Sequence, residues 1–479
     1  MEYAPEPPLP HRFARVSFWL LLAVVALAPL PFGSNRPWAW SLLALSIAGL
    51  LTLWAAGALV SAKTLQLPWG RYRPPLVLFA LFVAWSVYQT LGPAPEAWWA
   101  PGWRHMAEAL AQPVAGAISV TPERSLGVLM RIVTYAGIFW IAMQAGRRTH
   151  FAKAALWSVT LAGLAYAIYG LAVQLNGSHT ILWFAKWTYY DVVTATFVNR
   201  NHFAVYAGLA ILCTLALIVD QARRATETSI ATRSGFVQFL DNLSVRLVVL
   251  AIAFVILVTA LVLTRSRAGT LMTAIAILVL LAVLATTPTL ATKSVIRFGV
   301  VILLAGGVFA AASGSLLVER IGNVTEDFGD RLTIYAATAR AIADRPILGF
   351  GLGSFAGTFP AYRGADFSPR APAYDYAHNI YLELAFESGI PGALLLIGTI
   401  AIVVGVCVWG ARRRRRNGFF PAVGVAATAL VAGHGLLDFS LQIPAIAATY
   451  SLILGVAYAQ AWRTDDPRES AQTERYGRL

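Results

Sequence analysis

The sequence predicts an all-α, polytopic membrane protein of about 12 transmembrane helices. Three observations predict it. Of 479 residues, 58% are hydrophobic and only 13% charged, whereas soluble chains average roughly 45–50% apolar and 25% charged. The apolar residues fall in blocks of about 20, enough for a helix to cross ~30 Å of hydrocarbon. Polar turns rich in Lys and Arg separate the blocks. Each block is read as a helix because a lone strand cannot satisfy its backbone groups in lipid.

In chain order the expected spans are 16–31, 38–60, 75–91, 126–145, 152–175, 199–220, 246–264, 268–286, 297–316, 379–410 (apolar from about 388), 419–437 and 443–462. The first leads straight into further spans and reads as a signal anchor. An even number of spans puts both termini on one side. That side collects well over half of the 37 Lys and Arg, ending in the arginine run 412–416 and the tail. Cytoplasmic loops are the cation-rich ones, so both termini are expected to be cytoplasmic. The net charge of +14 is thereby explained by topology and contact with membrane lipids, and no nucleic-acid partner is expected. Cys213 and Cys407 lie inside apolar blocks and imply neither a disulfide framework nor a metal spacing.

The expected organisation is a nine-helix membrane bundle over 1–316, a large periplasmic loop over 317–378, a three-helix membrane part over 379–462 and a disordered cytoplasmic tail over 463–479. A loop as long as 317–378 is usually functional. It holds a candidate amphipathic helix over 331–344 with Leu332, Tyr335, Ala336, Ala339 and Ile342 on one face. Pro346, Gly349, Gly351 and Gly353 then end it.

From Arg331 the chain reads RLTIYAATARAIADRPILGFGLGSF, and later YAHNIYLELAFESGIPG. The ordered set Arg331, Tyr335, Pro346, Gly349, Gly351, Phe355, His378, Asn379, Glu387, Gly389 and Gly392 resembles the conserved domain of the O-antigen ligase and O-antigen polymerase family. FVNRNHFA at 197–204, TRSRAG at 264–269 and HGLLDFSLQIP at 434–444 look like the same family. Tyr335 stands where the family usually has Trp. The resemblance implies a metal-independent membrane glycosyltransferase without a cofactor. Its donor would be an undecaprenyl-diphosphate-linked glycan and its acceptor lipid A-core or another glycan. The reaction would occur at the periplasmic face of the bacterial inner membrane.

That chemistry needs cations for the departing diphosphate and a base for the acceptor hydroxyl. Arginine is always charged and binds phosphate bidentately; histidine titrates near working pH. The candidate diphosphate ligands are Arg200, Arg265, Arg267 and Arg331. Arg265 and Arg267 sit between two spans on the expected outer side, against the positive-inside bias. Anchoring at the interface is the competing explanation for these arginines. His378 is the candidate base. Asn379, Glu387, His434, Asp438 and His202 are candidate supports, with Glu383 expected to be merely solvated. His434 and Asp438 are four apart and expected on one helical face, where Asp438 could steady His378 or an arginine. Arg131 lies inside a span, and Arg340 is a weaker loop candidate. Tryptophans and tyrosines at 98, 99, 103, 183, 187, 189 and 190 fit an interfacial belt better than a sugar platform. Two other classes compete: a polysaccharide transporter or flippase, and a non-catalytic export scaffold. A transporter would place polar or broken helices near the midplane in related halves; here the polar residues gather at one face, and no halves repeat.

Overall fold

A computed structural model describes residues 12–60, 69–229, 245–286, 324–364, 367, 373–414 and 417–462. The major helices are α1 (Arg12–Leu27), α2 (Pro37–Val60), α3 (Trp69–Leu91), α4 (Pro101–Leu110), α5 (Pro122–Gly146), α6 (Thr149–Leu175), α7 (Arg200–Ser229), α8 (Val245–Leu263), α9 (Arg267–Ala285), α10 (Val324–Asp344), α11 (Phe355–Thr358), α12 (Ile380–Arg413), α13 (Phe419–His434) and α14 (Pro444–Ala461). The described strands are a small antiparallel pair, β1 (Thr180–Ile181) and β2 (Phe184–Ala185).

Eleven of the twelve expected spans coincide with α1, α2, α3, α5 to α9 and α12 to α14. The ninth, 297–316, lies outside the described residues, as do the N-terminal segment and the tail. Nine described helices are long and apolar enough to cross a membrane, while α1 and α13 are shorter, with 16 residues each. The fold is therefore all-helical and suited to a multi-pass membrane protein.

Helices α7 and α14 are buried along almost their whole length and form the centre. Helix α14 packs on α5, α13 and α12, and α7 packs on α6, α8, α9 and α13. Small residues permit this close approach, as at helix contacts in lipid generally. A Cβ on Gly455 would lie 2.6 Å from the carbonyl oxygen of Phe139. The outer helices instead expose large apolar side chains such as Leu45, Leu59, Val255 and Leu394, a surface suited to lipid tails.

Helix α12 is two segments. Its backbone breaks at Gly389, where φ is 71° and ψ 164°, a left-handed geometry that glycine adopts readily. A Cβ there would come within 2.1 Å of the Ile347 carbonyl oxygen. Ile390 N–H donates to the Pro346 carbonyl (2.8 Å) instead of to its own helix. The first segment, 380–388, carries the buried Glu383, Glu387 and Ser388; the second, from Ile390, is the continuously apolar one. The Gly349–Gly353 turn docks onto the break through Phe350 N–H to Phe386 O (3.0 Å) and Gly351 N–H to Glu387 O (2.8 Å). Gln89 of α3 donates to Leu348 O (2.5 Å), and Ser125 of α5 to Leu352 O (2.7 Å).

Helix α10 departs from the expected amphipathic face. Its buried side chains are Ile334, Ala337, Thr338 and Ala341, packed with Phe350, Phe355 and Phe359. Leu332, Ala336 and Ala339 are exposed. Small residues let this helix lie close to its aromatic neighbours, and a pattern weighted by bulk assigns the wrong face. Tyr335 and Ile342 are partly buried beside the cluster.

Candidate active site

Three helix starts meet at one end of the bundle, and their caps come from the residues singled out by the motifs. Asn199 Oδ1 accepts from Asn201 N–H (2.8 Å) at the start of α7. Ser266 caps α9, its Oγ accepting from Gly269 N–H (3.2 Å). Asn379 caps α12, its Oδ1 accepting from Tyr381 and Leu382 N–H (3.0 and 3.1 Å). Side-chain oxygens at these positions satisfy otherwise unpaired helical N–H groups.

Asp438 links these starts. Its Oδ2 accepts from Asn201 Nδ2 (2.9 Å), and Asn201 Oδ1 accepts from Ser266 Oγ (2.8 Å). Its Oδ1 accepts from Phe439 N–H (2.8 Å) and lies 3.5 Å from His378 Nδ1. That last separation is ion-pair reach without a formed hydrogen bond. The carboxylate is 2% exposed and the imidazole 30%, so the pair has one buried and one accessible member. Burial raises the Asp438 pKa, but the His378, His202 and His434 rings lower it more, and the net shift is downward. Asp438 is thus an anion at neutral pH.

His378 has a φ of 54°. A left-handed backbone at a non-glycine residue costs on the order of 1–3 kcal/mol and persists only where its surroundings enforce it. The enforcement is visible. The Tyr335 hydroxyl contacts both the His378 and the Leu436 carbonyl oxygens (2.9 Å each). Asn379 Nδ2 donates to Leu436 O (3.3 Å), and Ile380 N–H to Gly435 O (2.9 Å). The His378 ring stands edge-on to Phe439 at 5.2 Å, and Tyr376 stacks on the same ring at 4.0 Å.

His202 and His434 are buried beside this pair. His202 meets Phe439 at 4.9 Å, and His434 Nδ1 lies 3.1 Å from Ser440 Oγ. His434 and Asp438 do not share the helical face expected of them. Helix α13 stops at His434, the chain turns, and Asp438 engages Asn201 and His378 instead. Glu387 is buried, and its Oε1 accepts from Phe355 N–H (3.3 Å), so it locks the glycine turn to the α12 break. Glu383 is also buried, correcting its expected solvation. Its Oε2 accepts from Ala377 N–H (2.8 Å) and its Oε1 from Gln442 Nε2 (2.7 Å).

The arginines border the cluster. Arg200 lies over the Tyr189 ring at 5.5 Å. Burial raises the Tyr189 pKa, Arg200 and Arg331 pull it down, and Asp438 pushes it up. Arg200, Arg331 and Asp438 are thus all within electrostatic reach of one phenol. Arg265 and Arg267 are exposed on either side of buried Ser266, at a turn where Arg265 has a φ of 55°. Their motif joins the buried network through the Ser266 hydroxyl. Arg131 lies over Trp40 at 4.7 Å, and Arg340 is exposed. Among the described residues, no group of three His, Cys, Asp or Glu is arranged to hold a metal ion.

The residues missed in the sequence are Asn201, Ser266, Glu383 and Gln442. All four lay inside motifs already noted, hidden by the residues next to them.

The fold and this cluster define a multi-pass membrane protein with a polar, arginine-bordered site at one end of its helices. The family model described as O-Antigen ligase matches residues 252–397, so the chain is similar to that family over this stretch. The match includes Arg265, Arg267, Arg331, His378, Asn379 and Glu387. Arg200, His202, His434 and Asp438 lie outside it and join the site through the contacts above. No curated protein matches the chain.

Proposed function

We propose that the protein is a glycosyltransferase of the O-antigen ligase type. It moves a glycan from an undecaprenyl-diphosphate carrier to a hydroxyl of lipid A-core or another polysaccharide at the periplasmic face of the inner membrane. The observation carrying this reading is the His378–Asp438 pair, within 3.5 Å and bordered by arginines, with His378 and Arg331 inside the matched family stretch. The orientation is supported by the far end of the bundle, where Arg71, Arg147, Lys153 and Arg414 gather, as cytoplasmic cations do.

In this mechanism His378 takes the proton of the acceptor hydroxyl on Nε2. The freed oxygen attacks the anomeric carbon from the face opposite the diphosphate, and the carbon–oxygen bond to the carrier breaks with its electrons leaving on phosphate. Inversion follows from that single displacement. Asp438 stabilises the imidazolium formed on His378, as an orienting carboxylate does for a histidine base. Arg200 and Arg331 offset the growing phosphate charge from fixed positions, which costs no reorganisation at the moment of reaction. Arg265 and Arg267 meet the headgroup at the rim.

The test is a deletion strain complemented with His378→Ala. Loss of surface glycan with normal membrane insertion is expected, and normal glycan would overturn the reading. The deletion strain itself separates ligase from polymerase on a gel: bare lipid A-core marks a ligase, and a single attached repeat unit marks a polymerase.

A further inference from the structure

Two segments far apart in sequence make the proposed base and its carboxylate: the turn ending in His378, and the chain from Asp438 to Gln442. The Tyr335 hydroxyl, Asn379 and the Ile380 N–H tie the first to Gly435 and Leu436, just ahead of the second. Glu383 touches both segments themselves. Glu383 Oε2 accepts from Ala377 N–H, the residue before His378, at 2.8 Å, and its Oε1 accepts from Gln442 Nε2 at 2.7 Å. Gln442 belongs to a short 3-10 turn, Ser440–Gln442, whose backbone N–H returns to Phe439 O at 2.9 Å. Phe439 is the ring against which His378 rests. Glu383 is buried, and Ala377 is fully buried with it. A carboxylate is costly to bury and is retained where its bonds compensate.

We propose that Glu383 is a positioning residue: by bonding the Ala377 N–H and the Gln442 amide together, it holds the His378 turn in register with Asp438. It acts through His378 and touches no reacting atom. The consequence for turnover rests on the glycosyltransferase reading; the geometric statement does not.

The experiment uses the full chain in lipid nanodiscs, treated with diethyl pyrocarbonate, with carbethoxylation of His378 followed by peptide mass spectrometry. His378 is the accessible imidazole of the cluster, since His202 and His434 are buried. Losing the acceptor of two buried hydrogen bonds should open the turn, so His378 in Glu383→Ala reacts about fivefold faster or more. Glu383→Gln restores the wild-type rate, because its amide oxygen can accept from Ala377 while Gln442 flips to accept from its NH₂. A wild-type rate in Glu383→Ala, or no rescue by Glu383→Gln, would overturn the proposal. Gln460→Ala is the control. It removes a buried amide that donates to Gly146 O (2.7 Å) near the other end of α14. Acceleration as large there would show general loosening and also overturn it. If Glu383→Ala does not insert, Gln442→Leu removes one arm of the strap; a faster His378 supports the proposal and an unchanged one refutes it. In transfer assays Glu383→Ala lowers kcat with KM held. Should His378→Ala leave transfer intact, the functional reading falls while the labelling result stands.

Discussion

Replacing Asp438 with Asn removes one negative charge while keeping the shape of the side chain. In the proposed reaction the charge matters once His378 has taken the acceptor proton. At the observed 3.5 Å, Coulomb's law gives about 5 kcal/mol at an effective dielectric of 20 and about half that at 40. The imidazole is 30% exposed, so solvent screening favours the lower part of that range. Taking ~2–3 kcal/mol, kcat should fall roughly 30- to 150-fold. The amide can still accept from Phe439 N–H, and Asn201 can turn its own amide to face it, so the cap of α7 survives. In the proposed mechanism the donor diphosphate lies against the arginines rather than Asp438, so KM should hold within about threefold. The assay is transfer by purified protein in nanodiscs, from a carrier-linked glycan to an acceptor, with product separated on a gel. A kcat within about threefold of wild type would refute the argument that this carboxylate stabilises an imidazolium.

The remaining predictions concern pH, the α12 break and the arginines. Because the Asp438 pKa is held below the ordinary carboxylate range, folded protein binds that proton more weakly than unfolded protein. Its contribution to stability is full above about pH 4 and is lost as pH falls through the folded value. Thermal midpoints of wild type and Asp438→Asn should therefore differ at pH 7 and converge in acid; a constant gap would contradict the assignment. Gly389→Ala places a Cβ 2.1 Å from Ile347 O at a left-handed position and should cost more than about 3 kcal/mol, read as lost folded yield or a large drop in Tm. Arg331→Gln should raise the donor KM or lower kcat about tenfold or more, with Arg331→Lys recovering only part, because an ammonium lacks the bidentate fork. Full activity in Arg331→Gln would remove it from the site.

Most of the helical layout was legible because lipid leaves the backbone so few options. Block length gave eleven helices; the span 379–410 was read as apolar only from about 388, but the break at Gly389 was not foreseen. The site was legible only in pieces. His378 and Asn379 stood out by motif, and Arg331 by the same run. The partner of Asp438 did not, because Asn201 is 237 residues away, and no local pattern specifies a contact across that separation. Spacing suggested that Asp438 faces His434, but the helix ends between them. Glu383 looked solvated because a lone Glu near a helix start usually is; both its partners come from outside its own helix. The buried face of α10 was misjudged because alanines lie on both sides of the helix, so periodicity could not choose between the face with Ala336 and Ala339 and the buried one with Ala337 and Ala341.

The carboxylate that completes the pair lies in the turn between α13 and α14, the last two helices described, whereas His378 and the bordering arginines precede them. During synthesis the chain therefore has its cations and its histidine in place before Asp438 has emerged. In the proposed enzyme, a protein stalled or cut before the α13–α14 hairpin would hold donor-binding charge without an oriented base. Such a chain could occupy a lipid-linked glycan but not spend it.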